Sequence, residues 1–128
     1  MNAALQAQAA YAAASRSTET PKGIEYQVFS RVTARIEAAR RKGMPGFADM
    51  VHALHDNRML WDAIAADVVQ ASNPYPAPLK AQLIYLSEFT RHQSNRVLAG
   101  EADADVLIEV NTAIMKGLKG AQPVEMPA

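Results

Sequence analysis

The side chains best suited to chemistry lie close together in one stretch of the chain. Asp49, His52 and Asp56 follow one another at spacings of three and four, with His55 beside them. That spacing puts them on one face of a helix. Carboxylate and imidazole groups so arranged can share a divalent metal ion. The same pattern is the ordinary polar face of an amphipathic helix whose other side carries Phe47, Val51 and Leu54. The solvated face is the preferred reading, so no metal and no other cofactor is expected. Glu88 and His92 are one turn apart, as in a common surface pair. No glycine-rich phosphate loop and no motif around a serine nucleophile occurs, and there is no cysteine for thiolate chemistry or disulfides. The chain does not read as an enzyme.

Binding is the better-supported class. Arg31, Arg35, Arg40, Arg41 and Lys42 form a local basic run that RNA phosphates can meet. The chain as a whole has thirteen basic and thirteen acidic residues, and no aromatics interleave with the run to stack bases. A solvated helix face accounts for it equally. Two asparagines say more. Asn57 falls between Leu54 and Trp61, and Asn111 between Ile108 and Met115, each on an apolar stripe. Asparagine is a weak helix former, and a buried amide needs hydrogen-bond partners. These two either fix helix register in a bundle, the favoured reading, or line a wet groove for a partner.

Those residues must be positioned by helices. Hydrophobic residues make up 49% of the chain and charged residues 20%, the balance of a folded domain rather than a disordered chain. With 128 residues, one domain is expected. Residues 1–14 form an alanine-rich helical arm that packs through Leu5 and Tyr11 or frays. It lacks the basic start and greasy middle of a secretory signal, and no stretch is long enough to span a membrane, so the expected compartment is the cytoplasm. Thr20–Pro21 reads as a helix start, with Ile24, Val28, Val32, Ile36 and Ala39 as its stripe and Gly43 as its end. Phe47, Met50, Val51, Leu54, Trp61, Ile64, Ala65 and Val68 predict one long helix, unless Asp56 or Asn57 caps a second one. Pro74, Pro76 and Pro78 make a stiff corner. Beyond it run Leu79, Leu83 and Leu86, then Thr90, Gln93 and Val97, a stripe whose polar second half predicts shallower burial, at an end of the bundle or beside a groove. Leu107, Val110, Ile114 and Leu118 mark the last helix. The predicted fold is all-α: an antiparallel bundle of four main helices over residues 15–120, with the arm before it and a loose tail at 121–128.

Several of these segments together resemble the FlaF family of flagellar proteins. The run Ala53-Leu54-His55-Asp56-Asn57-Arg58-Met59-Leu60-Trp61, followed by Asp67, is similar to the family's ALxxNxxLWxxxxxD core. Asn73 and Pro76 match its N-x-x-P corner, and Leu79-Lys80-Ala81-Gln82-Leu83-Ile84 its LRAQLI segment, with Lys80 in place of arginine. Val97 to Gly100 and Leu107 to Leu118 complete the likeness. The resemblance implies a factor of flagellum biogenesis that positively regulates flagellin synthesis or secretion, alongside an opposing regulator, FlbT. Binding flagellin as a chaperone-like adaptor is the expected mechanism; binding flagellin mRNA or FlbT is the alternative. The residues expected at a partner surface are Leu5, Tyr11, Asn57, Arg58, Trp61, Lys80, Thr90, Gln93 and Asn111.

Overall fold

A computed structural model describes residues 3–7 and 26–121, with side chains through Gly117. Four helices carry the fold: α1 (Tyr26–Lys42), α2 (Phe47–Val68), α3 (Ala77–Leu98) and α4 (Asp105–Ala121). Residues 3–7 form a short further helical segment, and no strand occurs among the described residues. The start expected at Thr20–Pro21 and the contact expected from Tyr11 lie outside the described residues.

α1 buries Phe29, Val32, Thr33, Ile36 and Ala39. Phe29, fully buried, is not on the stripe read from the sequence, while Val28, which is, stays half-buried. Steps of four drift away from the 3.6-residue period, whereas the set 29, 32, 33, 36 and 39 follows it. Arg40, Arg41 and Lys42 close the helix at the negative end of its dipole. Gly43 then turns the chain with φ of 63°, which an L side chain adopts at a cost. A single 3-10 turn, Met44–Gly46, leads directly into α2.

α2 is one continuous helix of 22 residues, and neither Asp56 nor Asn57 caps a second one. Its buried side is Ala53, Leu54, Asn57, Leu60, Trp61, Ile64 and Val68. Phe47 and Val51, expected in the core, are instead exposed, where α3 ends with Leu98. The corner after α2 is built by side chains. Asn73 Oδ1 accepts the Tyr75 backbone N–H at 2.9 Å, and Asn73 Nδ2 donates to Asp67 Oδ2 at 3.4 Å. Pro76, extended with ψ of 150°, precedes the first residue of α3, and Pro78 sits in its first turn, where a missing N–H costs nothing.

α3 buries Leu79, Leu83, Leu86, Ser87, Thr90, Gln93 and Ser94. Shallow burial was the expectation for its second half, and the structure corrects it. Thr90, Gln93 and Ser94 point inward, with the Ser94 hydroxyl donating to the Thr90 carbonyl at 2.7 Å. At the start of α4, Asp103 Oδ1 accepts the Asp105 N–H at 2.9 Å. That helix continues through Gly120 to Ala121, slightly beyond the expected end.

α2 packs between α1 and α3, α4 lies mainly on α1, and α3 and α4 touch only lightly. Arg35 meets Asp56 while Lys42 meets Asp49, which makes α1 and α2 antiparallel. Leu54 shares a groove with Leu98 while the Trp61 carbonyl meets Ser87, which makes α2 and α3 antiparallel too. The 3–7 segment adds Ala3 and Ala7 to the core, while Leu5, its expected anchor, is 61% exposed. With positions 3 and 7 one turn apart and facing inward, position 5 faces out. Among the described residues no helix is long and apolar enough to cross a membrane.

Candidate functional site

The centre of the bundle is organised around Trp61. Its ring is 1% exposed and meets Phe29 edge to face, with centroids 5.8 Å apart and planes at 80°. An indole N–H only donates, and here it donates to Asn111 Oδ1 at 3.0 Å. Asn111 Nδ2 in turn donates to Asn57 Oδ1 at 2.7 Å. One chain of hydrogen bonds thus joins α2 to α4 across the core. The ALxxNxxLW run and the asparagine of the last helix are partners in a single network.

With the residues that carry the likeness joined in this way, the comparison with known families is decisive. The family model described as flagellar protein FlaF matches residues 7–118. The chain belongs to the FlaF family. No curated protein and no solved structure matches it. The Asp67–Asn73–Tyr75 corner gives the FlaF-like N-x-x-P segment a physical role, because the asparagine side chain holds the turn that reverses α2 into α3.

The residues expected at a partner surface divide sharply. Asn57, Trp61, Thr90, Gln93 and Asn111 all lie inside the bundle, where no partner reaches them without opening it. Each sits on the inward stripe of its helix, and the Trp61, Asn111 and Asn57 side chains bond to one another. Arg58 is exposed, Lys80 is half-buried in the second turn of α3, and Leu5 is exposed. Tyr11 lies outside the described residues.

Three grooves mark the described surface. One, of about 270 Å³, lies between α1 and α2 and contains Arg35, Lys42, Asp49, His52 and Asp56. The Asp49 and Asp56 carboxylates are engaged here by cations: Asp49 pairs with Lys42, and Asp56 with Arg35 at 2.8 Å. The hydrogen bond and charge of Lys42 hold the Asp49 carboxyl below its ordinary range. No group of three or more His, Asp or Glu is placed to hold a metal among the described residues. A second groove, between α2 and α3, is lined by Val51, Leu54, His55, Arg58, Ser94, Asn95 and Leu98. Met44 and Phe47 are exposed as well. The third, about 290 Å³, runs between the 3–7 segment and α4 and is lined by Ala4, Leu5, Ile108, Glu109, Thr112, Ala113 and Lys116.

The basic end of α1 is mostly neutralised within the protein. Arg40 bonds Glu37 at 2.7 Å and Asp105 at 2.9 Å, and Arg41 also reaches Glu37. The Arg40 hydrogen bond is the main reason the Glu37 carboxyl stays below its usual range. The sequence could not reveal the pairings with Asp56 and Asp105, which come from other helices.

Proposed function

We propose that this FlaF-family chain promotes flagellin synthesis or secretion by binding a helical segment of flagellin in the groove between residues 3–7 and α4. The observation that carries the reading is how that groove is built. Its walls are largely apolar, with Glu109 and Lys116 among its lining, so it offers both apolar anchorage and a charged pair for register. One wall is a segment whose buried contacts come from Ala3 and Ala7. Alanine burial contributes little compared with a leucine or phenylalanine, so that wall is displaced at small cost. Leu5, turned outward beside Ile108 and Ala113, then shares apolar surface with an incoming helix.

An RNA-binding reading draws on the basic end of α1, but four of its cations are already paired with carboxylates. Charge engaged within the protein releases fewer counterions on meeting phosphate. The protein-binding reading is therefore favoured. Isothermal calorimetry with purified flagellin tests it, using the full chain and a chain lacking residues 1–14. Micromolar or tighter binding, changed several-fold by the deletion, is expected. Equal affinity for the two chains would overturn this groove. No binding to flagellin, together with salt-dependent binding to its leader RNA, would overturn the flagellin reading itself.

A further inference from the structure

Four buried polar side chains, one from each helix, come within about a turn of one height in the bundle: Thr33 on α1, Asn57 on α2, Thr90 on α3 and Asn111 on α4. The Arg35–Asp56 ion pair sets Thr33 opposite Asn57 in the antiparallel α1–α2 pair. Ser87 bonded to the Trp61 carbonyl, and Ser94 sharing a groove with Leu54, set Thr90 between the levels of Trp61 and Asn57. Asn111 is bonded to both of those residues. At this height every helix therefore contributes a polar side chain to the core.

The indole decides which way its amides face. Trp61 Nε1 can only donate, so it selects the Asn111 oxygen, and Asn111 must then offer its Nδ2 to the Asn57 oxygen. The chain of bonds therefore ends on Asn57 Nδ2, a buried donor with no protein acceptor. Among the described residues, two further buried side-chain atoms lack a protein partner, the hydroxyl oxygens of Thr33 and Thr90. These three atoms belong to the one polar layer. Unmet buried polar groups are costly, and native cores satisfy the great majority of them.

We propose that Asn57, Thr33 and Thr90 form an internal hydration site, in which a water molecule accepts from Asn57 Nδ2 and donates to the two threonine hydroxyl oxygens. Three hydrogen bonds to otherwise unmet groups is the usual coordination of a buried water. The ligand set is wholly neutral, with no carboxylate, imidazole or thiolate, which suits water and not a divalent cation. The water extends the Trp61–Asn111–Asn57 relay to α1 and α3, so that one polar network ties all four helices at a single height.

Water–protein NOE and ROE spectroscopy on the full chain tests the site. The Asn57 side-chain amide protons should show NOE and ROE cross-peaks to water with the signs of a long-lived bound molecule rather than of proton exchange. Thr33→Ser and Thr90→Ser keep the hydroxyl and should keep the cross-peaks, whereas Thr33→Val and Thr90→Val should weaken or abolish them. Absence of the cross-peaks from the unsubstituted protein would overturn the proposal, and that measurement requires no variant to fold. Full-strength cross-peaks in both valine variants would equally overturn it, by showing that neither threonine holds the water.

Discussion

At the scale of single residues, Trp61 and the two asparagines bear the most. Trp61 is the largest fully buried side chain, and its burial is both apolar and hydrogen-bonded. Trp61→Ala is expected to destabilise the fold by about 3–5 kcal/mol in urea denaturation, the range for a core aromatic. An unchanged midpoint would contradict its central place. The asparagine pair calls for a double-mutant cycle. Asn57→Leu alone strands Asn111 Nδ2, and Asn111→Leu alone strands both the Asn57 oxygen and the indole N–H. Each stranded group costs about 1–3 kcal/mol, while removing both amides leaves fewer groups unmet. The double variant should therefore lose less stability than the two single losses added, with a coupling of about 0.5–3 kcal/mol. Strict additivity would mean that the Asn57–Asn111 bond contributes nothing.

At the scale of elements, the connections matter as much as the helices. Gly46, in the turn between α1 and α2, lies against the last turn of α1. A Cβ there would lie 2.6 Å from the Ala39 carbonyl oxygen and 2.7 Å from Lys42 Cβ. The first neighbour is backbone and cannot step aside, so Gly46→Ala must push the two helices apart. A loss of roughly 1–3 kcal/mol is expected, the usual cost of overpacking. Gly43→Ala tests a different mechanism, since nothing lies within 4 Å of its added Cβ and only the positive φ is at stake. Its cost should be about 1–3 kcal/mol, as for an L residue held at φ 63° and ψ −142°, a combination essentially confined to glycine. Thermal unfolding of both variants checks these losses, and an unchanged midpoint for Gly46→Ala would argue against the steric account of Gly46. The α2–α3 corner depends instead on side chains, with Asn73 holding the turn and Tyr75 buried behind it.

At the scale of the whole molecule, Tyr75 links the corner to the pH dependence of folding. Burial, helped by the charge of Asp67, pushes its phenol from 10.0 up to about 12. A raised folded pKa means that the folded chain holds the proton more tightly than the unfolded one. The resulting stability is fully present below pH 10 and is lost as pH rises from 10 toward about 12. Urea midpoints across that window should fall more steeply for the native chain than for Tyr75→Phe, since the other titrating groups are common to both. Parallel curves would show that the phenol titrates alike in both states.

Helix type and approximate extent were legible in the sequence, because a 3.6-residue apolar period and its Gly and Pro stops are local signals. Asn57 and Asn111 were also legible as buried, since each interrupts an apolar stripe that has no other reason to admit an amide. The FlaF likeness was legible for a related reason: the residues that carry it are those of the core network and the corner. What the tertiary structure alone decided is which faces meet. Periodicity says that Phe47 and Val51 share a stripe with Leu54, but only the length of the neighbouring helices leaves the first two uncovered. Thr90 and Gln93 read as a shallow end because polarity suggests solvent, yet the facing helices enclose them. The basic run of α1 reads as a surface for phosphate until Asp56 and Asp105 arrive from α2 and α4. Local pattern determines what each helix is, and the partners that satisfy its polar groups lie too far away in the chain for that pattern to name them.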